Sequence, residues 1–257
     1  MFPFLMIFVV IAGAIFIFFF FNFGTDILNI SGKLNKGQTL KNLDQQLAAF
    51  SLASNAYNEL NLGLKANIKT ECKNDGVNKK INLIFDDFTF ETQKYVLAPS
   101  ELEGRTIKAW TFSWDYPFKV ENLYFLTDDN VKLYYEASSN SPPEEEKDFI
   151  ENFPGRIKPQ ELSGLTTLPS PTLTNVIISF KPGSTITPTA NKKIVKITIG
   201  DVTKYLNGIE KVEICENPTV SCQPAGGLGL AMAYAAIFAP SFEEYECIKD
   251  EIIEERL

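Results

Sequence analysis

The first 23 residues constrain this chain more than any other stretch. From Phe2 to Phe23 the sequence is apolar almost without a break. It carries Phe-Ile-Phe-Phe-Phe-Phe over Phe16–Phe21 and has no charge before Asp26. At about 1.5 Å per residue, roughly 20 helical residues cover the ~30 Å hydrocarbon core of a bilayer. Residues 1–25 are therefore predicted to form a membrane anchor, embedded in the lipid bilayer through residues 2–23. Pro3 fits the first helical turn, where backbone N–H groups lack intrahelical acceptors anyway. A cleaved secretory signal is the competing reading. It requires a basic start, a shorter apolar stretch and a small-residue cleavage site. Here the start is Met-Phe-Pro-Phe without Lys or Arg, the run is longer, and Asn22-Phe-Gly-Thr25 lacks the cleavage pattern. A retained single-pass anchor is expected.

Orientation follows from weaker signals. Lys33, Lys36 and Lys41 follow the apolar run, and basic residues favour the cytoplasmic side. The even number of cysteines and the glycosylation-type triplet Asn29-Ile30-Ser31 point the other way. Large domains translocate largely regardless of flanking charge. The expected arrangement is a cell-membrane protein with its C-terminal domain outside the cytoplasm.

The formal charge of −8 argues against nucleic acid as a partner, because phosphate backbones call for a basic surface. Arginine occurs only at Arg105, Arg156 and Arg256, and histidine is absent. Lack of imidazole excludes Ser-His-Asp and Cys-His chemistry and the zinc sites that need His. The four cysteines are Cys72, Cys215, Cys222 and Cys247. Cys215 and Cys222 are near enough to staple one hairpin, leaving Cys72 to tie an early strand to the C-terminal helix at Cys247. Two disulfides, with three possible connectivities, are the favoured reading, with free buried thiols as the alternative. A four-thiolate metal site is disfavoured because no pair of Cys-x2–4-Cys spacings exists. No metal and no cofactor is expected.

Along the chain, residues 26–62 read as a connector and an amphipathic helix, and residues 63–257 as an α+β domain with a division at 165–174. Leu40, Leu43, Leu47, Phe50 and Tyr57 recur at helical spacing, predicting a helix over Thr39–Leu60 that ends near Gly63. Strict alternation over Leu64–Glu71 predicts a half-buried strand. Further strands are predicted at Lys80–Phe85, Phe88–Glu91, Lys94–Leu97, Ile107–Trp114, Leu123–Leu126 and Val131–Tyr135. The last two flank Thr127-Asp-Asp-Asn130, as a hairpin or as one bulged strand. Ser141-Pro-Pro-Glu144 predicts a helix capped by Ser141, running to about Phe153, where Pro154-Gly155 stops it. A partly parallel sheet is expected around this helix. Strands follow at Asn175–Lys181, Ile194–Ile199 and Lys211–Glu216. Leu228–Phe238 is apolar on every face, which predicts a buried helix. Ser241-Phe-Glu-Glu244 is a capping box opening a last helix through Arg256. That helix meets Leu257 without a stop signal, which suggests a piece of a longer chain.

Few motifs carry chemistry. Gly226-Gly-Leu-Gly229 precedes an apolar helix, but Met232 stands where a dinucleotide fingerprint needs its third glycine, so a close-packing turn is favoured. Asp86-Asp87 and Asp128-Asp-Asn130 lack calcium-loop spacing and read as turns. Glu144-Glu-Glu146 reads as a solvated helix terminus. Trp110, Phe112 and Trp114 alternate on one side of a strand within a dense aromatic set that includes Tyr116, Phe118, Tyr124, Phe125, Tyr134 and Tyr135. They are the candidate ligand or partner surface, with the core as the more ordinary destination for such rings. No catalytic residue is identified.

Two stretches, Leu102–Val120 with its Trp-Thr-Phe-Ser-Trp-Asp-Tyr-Pro-Phe-Lys-Val ending and Ala235–Cys247, resemble uncharacterised single-pass membrane proteins of archaea. The start of the chain looks like the assembly helix of archaeal type IV pilin-like proteins, without their basic leader or the acidic residue near the start of the apolar run. The family so resembled has no assigned activity, so the resemblance implies an architecture and no site. The expected role is a membrane-anchored, non-catalytic cell-envelope or surface-assembly component whose partners are other envelope proteins. The alternatives are an anchored hydrolase or transferase working through carboxylates, and an extracellular ligand- or partner-binding module.

Overall fold

The computed structural model describes residues 35–50, 55–74, 79–115, 119–162, 173–181, 184, 186, 192–200, 209–216, 222–226 and 229–254. The predicted anchor, Asn29, the boundary residues 165–172 and the rings of Tyr116 and Phe118 lie outside them. Among the described residues no helix is long and apolar enough to cross a membrane.

The fold is α+β, with two six-stranded mixed sheets and four helices among the described residues. Helix α1 occupies residues 35–50. Seven strands follow it: β1 (Tyr57–Asn74), β2 (Lys79–Phe85), β3 (Phe88–Thr92), β4 (Tyr95–Leu97), β5 (Leu102–Asp115), β6 (Lys119–Thr127) and β7 (Val131–Glu136). Then come α2 (Glu144–Glu151), β8 (Gln160–Glu161), β9 (Thr174–Ser179), β10 (Lys192–Ile199), β11 (Ile209–Cys215), β12 (Gln223–Pro224), α3 (Leu230–Phe238) and α4 (Phe242–Glu254). The first sheet has the order β3-β2-β1-β5-β6-β4, antiparallel except for the β4–β6 pair. The second has the order β12-β11-β10-β9-β7-β8. Its β8, β7, β9 and β10 run parallel, so α2 lies in the crossover leaving β7, and β11 and β12 add antiparallel strands. The partly parallel sheet expected around this helix is present.

Period-two alternation sorts each strand between layers. On β5 and β6, Ile107, Ala109, Tyr124 and Leu126 face Leu40, Leu43 and Leu47 of α1. Trp110, Trp114, Leu123 and Phe125 face the opposite way, into the central layer with α3. On β9 and β10 the odd and even positions divide similarly: Val176, Ile178, Val195 and Ile197 point to α3, while Ile177 and Ile194 form a smaller outer cluster with Tyr134 and Cys215. Helix α3 touches β5 and β6 on one side and β10 and β11 on the other. Its residues Ala231–Phe238 are all buried, and the alanines let both sheets come close. A helix apolar all round is stable only in such a place.

Three predicted boundaries shift for local reasons. The first helix stops before Leu60. Asn55 takes a left-handed conformation (φ 59°), and the chain leaves as β1 with Tyr57 opposite Trp110. Gly63, predicted as a helix end, instead sits at φ +76° inside the irregularity of β1, where the register jumps between Asn61 and Ala66. The Thr127–Asn130 turn forms neither a hairpin nor a bulged strand: β6 and β7 belong to different sheets. Asp128 decides this. Its carboxylate accepts the backbone N–H groups of Asn130 (2.8 Å), Val131 (3.2 Å) and Glu103 (2.6 Å), turning the chain out of the first sheet.

At α2, Pro143 occupies the N-cap position and no side chain caps the helix, so the predicted Ser141 cap is absent. Glu146 is not solvated either: it is buried, and its carboxylate accepts from the Ser138 N–H (3.2 Å) and hydroxyl (2.7 Å). At α4 the capping box is half closed. Ser241 Oγ accepts the Glu244 N–H at 3.1 Å, while the Glu244 carboxylate turns away to accept the Cys72 N–H at 2.5 Å.

Candidate functional site

Among the described residues, groups able to do chemistry or recognition gather at the disulfides, the central aromatic cluster, a buried lysine under α3, a basic cleft at the corner of β5, β6 and β7, and a carboxylate-lined concavity.

Cys72 of β1 is bonded to Cys247 of α4 across 175 residues of sequence, and Cys215 is bonded to Cys222 across seven. No free cysteine remains. The first bridge fixes the C-terminal helix to the middle of the first sheet, beside the Glu244–Cys72 hydrogen bond. The second ties the end of β11 to the start of β12. Disulfides form and persist in oxidising, extracytoplasmic environments.

Trp110, Phe112 and Trp114 do not form a surface. Trp110 is 0% and Trp114 5% exposed, and Phe112 is half-buried against the same core. The Trp110 ring lies 4.9 Å from that of Tyr234, 5.2 Å from those of Phe125 and Phe153, and 6.0 Å from that of Phe238. Its Nε1–H donates to Asn55 Oδ1 at 2.6 Å. These rings are core because β5 lies centrally in its sheet with α3 packed over it. Tyr234 and Tyr245 donate their hydroxyls to the carbonyls of Phe149 (2.9 Å) and Ala225 (2.8 Å), and burial pushes both phenols above their ordinary range.

Lys193 sits on β10 next to Ile194 of the outer cluster but points inward with Val195 and Ile197. It is 7% exposed, and its Nζ donates to the carbonyls of Ala236 (2.6 Å) and Ala239 at the end of α3. No basic residue occupies the last turn of α3, so a lysine from another strand satisfies those carbonyls and complements the helix dipole. Burial pulls the Lys193 amine down to about 7, opposed by the charge of Glu216. A neutral amine still offers two N–H donors, so both carbonyls stay satisfied in either protonation state. The sequence reading begins this strand at Ile194 and passes over Lys193, which continues the inward alternation of Val195 and Ile197.

The shift has a measurable sign. Between about pH 7 and 10.5 the unfolded chain binds a proton that the folded domain does not, so stability rises with pH across that window. Burial raises Glu216, whose contribution is present below its ordinary 4.5 and is lost as pH rises through its folded value. Lys193→Met is expected to flatten the alkaline rise. Urea unfolding of parent and variant at several pH values measures it, and an unchanged slope would mean that the buried amine stays charged.

The basic cleft is a concavity of about 100 Å³. Lys108 enters it from β5, Lys132 from β7, and Arg156 and Lys158 from the segment after α2, over a floor that includes Val131, Leu133 and Ile157. Lys108 meets Asp129 at 2.6 Å and Arg156 Nη1 meets Glu59 at 2.5 Å. The Tyr57 hydroxyl, then Arg156, hold Glu59 below the usual carboxylate range, and Lys108 does the same for Asp129. Burial, with Glu59 alongside, pushes Tyr57 up to about 12.

A second concavity, about 270 Å³, lies between β1, the end of β4 and the α3–α4 turn and is lined by Glu71, Glu101 and Glu244 among others. Two of its carboxylates are engaged: Glu71 faces Lys73 at 3.4 Å, and Glu244 holds the Cys72 N–H. Asp86 and Asp87, at the turn after β2, face Lys36 at 3.0 and 2.8 Å. Among the described residues no group of His, Cys, Asp or Glu is arranged to hold a metal. The glycine turn also resolves locally: Gly226 and Gly229 both take left-handed φ values (84° and 86°), conformations that favour glycine sterically.

In comparison with known proteins, no family model, no curated protein and no solved structure matches this chain.

Proposed function

We propose that this chain is a membrane-anchored, non-catalytic component of the cell envelope, with a disulfide-bonded α+β domain displayed outside the cytoplasm and assembled with other envelope proteins. The observation that carries the reading is the Cys72–Cys247 bridge, which clasps β1 to the last helix across 175 residues. Such a bond suits a domain that must keep its shape where no reducing or refolding machinery acts. The use made of its buried polar groups supports the same role. Lys193, Glu146, Asp128, Glu244, Tyr234 and Tyr245 all direct their side chains at backbone groups and so hold elements together. The apolar run at Phe2–Phe23 supplies the tether, in the manner of the archaeal single-pass proteins the sequence resembles.

A membrane-impermeant maleimide applied to intact cells tests the proposal. Labelling is expected only after a reductant is added from outside. Labelling that requires lysis, and then needs no reduction, would place reduced thiols in the cytoplasm and overturn the reading.

A further inference from the structure

The geometry points to the cleft at the β5–β7 corner as a binding site for a phosphate group. The whole chain carries a formal charge of −8, yet four cations from three separate stretches converge on this one concavity. Lys132 and Lys158 are exposed and make no ion pair among the described residues. Arg156 engages Glu59 through Nη1 only, and the rest of a planar guanidinium remains suited to an oxyanion. Among the described residues Asp128 is the only carboxylate lining the cleft. It is buried and accepts three backbone N–H groups, so it is fully hydrogen-bonded without the lysines.

Two of the four cations are paired, Lys108 with Asp129 and Arg156 with Glu59. The other two, Lys132 and Lys158, add like charge to the same concavity, which costs repulsion. A doubly charged group offsets that repulsion and accepts several charge-assisted hydrogen bonds at once, which a singly charged carboxylate does less well. The cleft has room for one small head group and is too small for a polymer. Its walls are also well set. Lys108 stands on β5, which pairs with β6, and Lys132 on β7, which pairs with β9 in the other sheet, and the Asp128 bonds fix the corner between β6 and β7. The site does not depend on which side of a membrane the domain faces. The phosphate has two possible sources, a free phosphate or phosphorylated solute, and the head group of a lipid.

Titration of the purified full chain with inorganic phosphate and with glycerol phosphate, at constant ionic strength against chloride and acetate, tests the site. Saturable binding of phosphate is expected, weakened at least tenfold in the double variant Lys132→Gln/Lys158→Gln. Both positions are exposed, so the variant should fold, and an unchanged circular dichroism spectrum checks that it does. Tighter binding of glycerol phosphate than of inorganic phosphate supports the head-group source, and the reverse order supports the free ion. Binding without saturation, equal effects of chloride or acetate, or unchanged affinity in the folded double variant would overturn the proposal.

Discussion

Replacing Cys72 and Cys247 together with alanine is expected to destabilise the domain far more than replacing Cys215 and Cys222. A disulfide stabilises mainly by restricting the unfolded chain, and the effect grows with the logarithm of the loop it closes. Loops of 175 and seven residues correspond on that model to about 5 and about 2 kcal/mol. For a domain of this size the larger loss amounts to a fall in Tm of roughly 10–20 °C. The local structure reinforces the ranking. The long bridge holds α4 on β1, where Tyr245, Ile248 and Ile252 are buried, whereas the short one joins residues already neighbouring across β11 and β12. Thermal unfolding of the two double variants, followed by circular dichroism, decides the matter. A smaller loss for the Cys72/Cys247 pair would mean that the unfolded chain is already compact around those positions, or that the loop-entropy account fails here.

The second large effect is expected at Trp110. Truncation to alanine should cost about 3–5 kcal/mol, the range for deleting a buried large aromatic side chain. The upper part of that range is appropriate because the surrounding rings come from different elements. Phe125 belongs to β6, Phe153 follows α2, and Tyr234 and Phe238 belong to α3. Walls held by separate elements cannot all move inward to fill the void. The variant also leaves Asn55 Oδ1 without its indole donor at the turn that ends the first helical region. Phe112→Ala, half-buried on the same side of β5, should cost less. Urea unfolding is the measurement, and a Trp110→Ala variant within about 1 kcal/mol of the parent would mean that this cluster is not the centre of the core.

Much of the local architecture was legible. β2, β3 and β4 lie close to where they were predicted, β5 includes the predicted Ile107–Trp114 but begins at Leu102, and α3 and α4 follow from an all-round apolar stretch and a capping sequence. Two disulfides were expected from the even cysteine count, and the short Cys215–Cys222 spacing favoured one of three possible connectivities. The fold selected it by bringing Cys72 of β1 against Cys247 of α4. What misled was local sequence whose competing demand came from elsewhere. Tyr57 continues a helical stripe, yet it pairs opposite Trp110 in a sheet. Glu146 looks like a solvated helix terminus, yet Ser138 folds back onto it. The predicted aromatic surface was a question of burial, and alternation alone cannot say which face of a central strand is covered.

The basic cleft was not legible at all. Lys108, Lys132, Arg156 and Lys158 are ordinary polar positions of three separate stretches, and nothing in their spacing links them. Sequence by itself determined the short-range choices: periodicity, caps, turns, net charge, and the exclusion of histidine chemistry. These depend on residues within a turn or a strand of one another. Only the tertiary structure decided that β6 and β7 part company at Asp128, that Lys193 rather than a residue of α3 satisfies the end of that helix, and that four cations share one concavity. Each of those outcomes depends on contacts between segments whose separation along the chain carries no local periodicity, so packing alone could bring them together.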